Sequence, residues 1–228
     1  MPTVAALEIG QSCRPDLVAE LRAVLPDDVR ILEVGALDGI DPATVPPIGS
    51  DAANPLSTRL ADGRQVVVDE AWIAPHLQAA VRRAEAAGAD ALLLLCAGGF
   101  HDLASDRPLI RPAVAVARVL HERGVATMLV VVPLPGQVPA SEAKWRALGF
   151  DPVVLATPLP AGLDQVVEAA EQHEAVVLDF VGHPADLIDR LEQALGSRGN
   201  AQVFDLGRYG ALAMADLARV RAPVADRA

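Results

Sequence analysis

Aromatic side chains are scarce in this chain, with two Trp, one Tyr and four Phe among 228 residues. Basic residues are also few: 19 Lys and Arg stand against 30 Asp and Glu, a formal net charge of −11, and no basic cluster occurs. Nucleic acid is thereby excluded as the main partner, because phosphate contacts need concentrated Lys and Arg and base stacking needs aromatic faces. The negative charge favours solubility; it does not exclude a small anionic ligand, since a few buried arginines or N–H groups set the local field. Only two cysteines are present, Cys13 and Cys96, without a CxxC pair or zinc spacing. They read as reduced thiols of a cytoplasmic protein, and no disulfide is expected. No apolar run approaches the ~20 residues of a membrane span, and Met1 to Ala5 carries no basic region followed by an apolar segment, so neither membrane insertion nor export is expected. There is no P-loop and no GxGxxG after the first strand, so no nucleotide cofactor is expected. No HxxxH-type spacing occurs, so no metal site is expected either.

What the chain does have is apolar material, 52% of its residues, enough for a substantial core in one large domain or two small ones. Val4 to Ile9 reads as a first strand, and Pro15-Asp16 opens a helix with Leu17, Val18, Leu21 and Leu25 on one face. Arg30 to Val34 is a second strand, followed by a turn-rich excursion from Gly35 to Pro55. Leu56 to Leu60 and Gln65 to Val68 flank Asp62-Gly63, the pattern of a β-hairpin. Glu70 to Ala87 is a long helix stopped by Gly88, and Pro108 to Arg123 another stopped by Gly124. Strands at 125–132, 153–156, 175–178 and 201–204 then alternate with helices at 141–146, 163–173, 184–195 and 206–219; the tail from Ala222 is expected to fray. This alternation predicts an α/β fold, mostly parallel sheet flanked by helices.

The chain is organised around Ala91-Leu92-Leu93-Leu94-Leu95-Cys96-Ala97-Gly98-Gly99. The apolar run reads as a strand buried on both faces, and Cys96 falls at its carboxyl end, where open α/β sheets bind ligands. The glycines permit a tight turn with N–H groups of Ala97, Gly98 and Gly99 turned into a crevice. Packing is the alternative role for Cys96, because free cysteine often behaves as a small buried hydrophobe. A second stretch echoes the first: His173 to Gly182 lies over Ala89 to Gly98 in register, setting Phe180 opposite Cys96 and Gly182 opposite Gly98. Two related strand ends suggest two similar lobes facing each other across a cleft, although buried strands ending in glycine also resemble one another by chance.

Ile9-Gly10-Gln11-Ser12 with Arg14 and Asp16, Leu37-Asp38-Gly39, Pro55-Leu56 with Thr58-Arg59-Leu60, Asp62-Gly63-Arg64, Pro133-Leu134-Pro135 with Gln137, and Lys144-Trp145-Arg146 come in an order and spacing that resemble the AroM family. That family looks like a divergent branch of the aspartate/glutamate/hydantoin racemase superfamily. The resemblance implies two pseudo-symmetric α/β lobes with the site between them. It divides the chain into a first lobe of residues 1–108 with the C-terminal helix 206–221, and a second of 109–205. It also implies a homodimer, and cofactor-independent chemistry in which two cysteines at equivalent strand ends remove and return an α-proton. Cys96 takes the first of these positions and Phe180 the second. Phenylalanine carries no proton, so this chain departs from the two-base pattern.

The candidate catalytic residues are therefore Cys96 as proton donor or acceptor, with Asp179 or His183 as the second carrier; Asp179 can equally bond loop amides, and His183, like His101, can be an ordinary loop histidine. Gly10, Gln11 and Ser12 offer donors that suit a carboxylate or merely cap a helix. Thr58 and Arg59 could close the hairpin over that carboxylate, or Arg59 could lie solvated. With Cys96 and Phe180 across one cleft, the Gly10–Ser12 loop and Pro133 belong at its rim. Two functions fit: an isomerase or lyase acting next to a carboxylate, or a non-catalytic sensor of a small carboxylate linked to aromatic amino-acid metabolism.

Overall fold

The computed structural model describes residues 1–46, 48–49, 53–199 and 201–221; Pro47 and the tail from Ala222 lie outside the described residues. In chain order the elements are β1 (Thr3–Glu8), α1 (Pro15–Val24), β2 (Arg30–Gly35), β3 (Pro55–Arg59), β4 (Gln65–Asp69), α2 (Glu70–Ala86), β5 (Ala91–Leu94), β6 (Leu109–Ile110) and α3 (Pro112–Glu122). They continue as β7 (Met128–Val132), α4 (Val138–Ala147), β8 (Pro152–Ala156), α5 (Leu163–Ala169), β9 (Ala175–Leu178), α6 (Ala185–Gly196), β10 (Gln202–Asp205) and α7 (Leu206–Arg221). Among the described residues no helix is long and apolar enough to cross a membrane.

Two parallel sheets result, ordered β2-β1-β5-β6 and β10-β9-β7-β8, with β3 and β4 as a separate antiparallel hairpin. The sheets repeat one plan. The leading strand of each, β1 or β7, pairs with the next strand on one side (β2 or β8) and with a later strand (β5 or β9) on the other. Leu94 pairs with Leu7 and Leu178 with Val131, so Cys96 and Phe180 each stand two residues beyond the last paired residue of equivalent strands.

Burial on both faces explains the unbroken apolar runs. Along β1, Val4 and Ala6 join the core that also holds Met128, Val130, Val177 and Phe204, whereas Ala5 and Leu7 join a core covered by α2 and the hairpin. The first of these cores is common to both sheets, with α1, α3, α4 and α7 contributing to it; α5 and α6 close the outer face of the second sheet. The lobes are thus packed against one another, which holds their strand ends at one cleft.

Local chemistry sets the boundaries. Asp69 caps α2, its carboxylate accepting from the N–H groups of Ala71 and Trp72 at 2.8 and 3.2 Å. The helix expected from Pro108 begins only at Pro112, because Leu109 and Ile110 pair with Leu92 and Leu93 as a short edge strand. Proline at the first helical position then loses no hydrogen bond. The first sheet consequently takes in two residues beyond the boundary expected at 108. The hairpin forms across Asp62-Gly63, with Gly63 at φ +86°.

Candidate active site

Beyond β5, Leu95 N–H still donates to Leu7 O at 2.8 Å, and the next residue leaves the sheet. Cys96 lies there at the wall of an open cleft, with Phe180 and Val181 contributed by the end of β9. The two strand ends that the sequence echo aligned therefore border one cavity. Cys96 is only 8% exposed, and its sulfur accepts the Gly98 N–H at 3.3 Å. Burial pushes the thiol up to about 12; the Gly98 contact opposes that shift, as does Lys144. The buried surroundings of Cys96 thus favour the thiol over the thiolate.

The walls divide by chemistry. Leu17, Leu56, Leu95 and Phe180 form apolar surface, and Glu8, Arg14, Ser57, Thr58 and Arg59 form a polar arc. Arg14 grips Asp16 with two bonds of 2.9 and 2.7 Å, and Arg59 reaches the same carboxylate at 2.8 Å. Hydrogen bonding from Arg14 holds Asp16 below the usual carboxylate range. These bonds engage three of the ten N–H donors of the two guanidinium groups. Arg14 and Arg59 are thus fixed at the cleft with donors to spare.

The Gly10–Ser12 loop is engaged within the fold. Gln11 N–H donates to Arg59 O at 3.1 Å, the Gln11 side chain donates to Leu37 O and Ile40 O and accepts from Ala61 N–H, and Ser12 binds Asp38 through both N–H and hydroxyl. None of the three residues is among those lining the cleft, and neither is Pro133. A Cβ on Gly10 would collide with Arg59 O, so glycine is required by the approach of the hairpin. Thr58 and Arg59, by contrast, do line the cleft.

The amides after Cys96 have separate partners. Gly98 N–H is on the sulfur, whereas Gly99 and Phe100 donate to the carboxylate of Glu70 at 3.2 and 3.0 Å. Ala97, Gly98 and Gly99 line a side compartment that continues from the cleft past Leu56 and Gln137. Asp179 lies in that compartment, 3% exposed, and accepts from Ser141 Oγ at 2.6 Å, Lys144 Nζ at 2.6 Å and Trp145 Nε1 at 3.1 Å. Lys144 Nζ also donates to Ala97 O at 2.6 Å, tying α4 and β9 of the second lobe to the loop after Cys96. His183 is turned away from both cavities and toward Asp205, Nδ1 to Oδ2 at 3.1 Å. His101 lines a third recess on another side of Cys96, together with Arg111. Gly182 has φ +110°, and a Cβ there would stand 2.7 Å from Leu17, a residue of the cleft wall. Among the described residues, no group of three or more His, Cys, Asp or Glu is arranged to hold a metal ion.

Glu8, Arg14 and Lys144 belong to this neighbourhood and were not singled out as site residues by sequence reasoning. Glu8 carried a legible mark, a carboxylate closing a strand whose other five residues, Thr3 to Leu7, are small or apolar. Arg14 and Lys144 appeared only within family motifs, without a role, because their partners Arg59 (through Asp16) and Asp179 are distant in sequence.

Residues 4–198 match the family of the AroM protein. No curated protein matches the chain in sequence. Among solved structures, allantoin racemase from Klebsiella pneumoniae superposes with a TM-score of 0.67 at 20% identity, over 96% of this chain and 88% of that one. Unliganded arylmalonate decarboxylase superposes with a TM-score of 0.59 at 17% identity, over 99% and 95% of the respective chains. An aspartate racemase homologue from Pyrococcus horikoshii OT3 gives 0.61 at 14% identity, over 96% and 100%. What the chain shares with these three structures is the two-lobed fold.

Proposed function

Because the chain belongs to the AroM family, within the racemase superfamily by fold, we propose that it is a cofactor-independent enzyme acting at the carbon next to a carboxylate, with Cys96 as proton donor. The observation that carries this reading is a buried thiol, in surroundings that disfavour its thiolate, at the wall of a cleft that also presents Arg14 and Arg59. One thiol suffices for protonation from one side. In a decarboxylation, the bond to the departing CO₂ breaks and its electron pair enters an enolate held by the remaining carboxylate. The S–H bond of Cys96 then breaks, its proton goes to carbon, and the sulfur keeps the pair until it is reprotonated from water. A tautomerisation ends in the same protonation. Racemisation by two cysteines is disfavoured here, since Phe180 has no proton to give. The apolar wall around Phe180 and Leu17 suits a substrate with a hydrophobic or aromatic face, whose burial contributes about 25 cal/mol per Å².

Arylmalonates are the first compounds to test, being the substrate class named for one structural relative. In D₂O the wild-type protein should place one deuterium at the α-carbon of the product. Cys96→Ser should lower that turnover by about 10²- to 10⁴-fold, the usual contribution of a positioned acid. Full turnover in Cys96→Ser would remove the role given to Cys96. Phe180 itself favours a second reading, a carboxylate-binding sensor without catalysis. Binding without any deuterium incorporation would select that reading.

A further inference from the structure

Glu8 is 1% exposed, and neither of its carboxyl oxygens has a hydrogen-bond partner; among the described residues no other buried side-chain oxygen or nitrogen is left so. Buried polar atoms are nearly always partnered, and an exception inside a cavity wall marks a place where something else supplies the bond. Glu8 is in such a wall, since it lines the cleft together with Arg14 and Cys96. The groups facing it are Arg14 at the start of α1, Glu33 on β2, and Asp16 and Asp38; of these only Arg14 opposes protonation. Burial and the surrounding carboxylates push the Glu8 carboxyl up to about 8.

We propose that Glu8 is held as a neutral carboxylic acid in the free cleft and donates a hydrogen bond to the oxyanion of the bound ligand. This rests on the reading that the cleft takes a carboxylate. The acid completes the polar arc, so that the carboxylate meets guanidinium donors of Arg14 or Arg59 and the O–H of Glu8 together. It also makes binding pH-dependent, because an ionised Glu8 loses its donor and repels an anion. The ligand class is narrowed accordingly to carboxylates with an acceptor oxygen directed at β1, malonate-like diacids foremost.

Two measurements test this. Infrared difference spectra of wild type against Glu8→Gln should show the carbonyl stretch of a protonated carboxyl group at pH 7 that fades between pH 7 and 9; a Glu8 already ionised at pH 6 would overturn the proposal without any ligand being needed. Calorimetric titration of phenylmalonate into the Cys96→Ser protein between pH 6 and 9.5 should show affinity falling up to tenfold per pH unit above about 8. Adding Glu8→Gln, which keeps an N–H donor, should retain affinity at pH 6 and abolish the pH dependence. Adding Glu8→Ala should weaken binding about 10- to 100-fold at pH 6. An unchanged pH profile in Glu8→Gln, or no binding of phenylmalonate at pH 6, overturns it. Loss of the Cys96 role alone would leave these outcomes as they are, since the titrated protein already lacks the thiol.

Discussion

At the scale of single residues, Asp179 shows how one side chain fits two roles in sequence and only one set of contacts in space. Its position beside Phe180 suggested a replacement base, but its carboxylate accepts from Ser141, Lys144 and Trp145 while only 3% exposed. A carboxylate this deeply buried, held by three donors with Lys144 Nζ 2.6 Å away, is committed to contacts within the fold. Removing the cation should therefore cost much more than a surface ion pair does. Lys144→Met leaves a buried carboxylate without its counter-charge, and a loss of about 3–5 kcal/mol is expected in urea denaturation. Asp179→Asn in the same chain should recover part of that loss, because the uncompensated charge is gone. A Lys144→Met protein within about 0.5 kcal/mol of wild type would mean that Lys144 does not hold α4 to the end of β9 and to the loop after Cys96.

Elements were legible wherever local chemistry repeats at the spacing of a strand or helix. Asp62-Gly63 announced the hairpin, and the buried runs before Cys96 and Phe180 announced two equivalent strands, because burial on both faces leaves a continuous apolar segment. The edge strand Leu109–Ile110 was not legible, since two residues carry no period and only their pairing with Leu92 and Leu93 defines them. The roles of Gly10 to Ser12 were hidden for a related reason: donors at a strand end look alike whether a ligand or the fold receives them, and here Arg59 of the hairpin and the turn from Leu37 to Ile40 receive them. Gly10→Ala tests that docking. The added Cβ would collide with the Arg59 carbonyl and with Thr58 Oγ1, so the hairpin must shift. A loss of about 1–3 kcal/mol is expected, with faster amide exchange at Gln11 and Ala61, whose N–H groups bond across this contact. Unchanged exchange at both amides would show that the hairpin is held elsewhere.

For the whole molecule, the acidic balance and two carboxyl groups, one buried and one half-buried, act in the same direction. Glu8 is pushed up to about 8; Glu20 on α1 is pushed up to about 7, first by burial and then by Asp205, while His183 and Arg208 oppose the shift. Asp205 ends β10, so this second group lies where α1 of the first lobe meets the second sheet. A carboxyl whose folded pKa exceeds its unfolded value, near 4.5 for both, binds more protons in the native state. Stability must then fall as pH rises from about 4.5 through about 8, the reverse of the usual carboxylate case. Each tenfold change in a protonation equilibrium is worth about 1.4 kcal/mol, so Glu8 accounts for an effect on the order of 2–4 kcal/mol, with a smaller one from the half-buried Glu20. A net charge of −11 adds self-repulsion with the same sign. Salt separates the two contributions, because it screens surface charge and leaves a buried carboxyl nearly untouched. Urea denaturation in 0.5 M NaCl, an ionic strength at which the screening length is only about 3–8 Å, should therefore still show stability declining between pH 5 and 9. Glu8→Gln should remove most of that decline and be the more stable protein at pH 9. A wild-type profile that is flat in high salt would instead assign the pH dependence to the surface and leave Glu8 with an ordinary carboxyl.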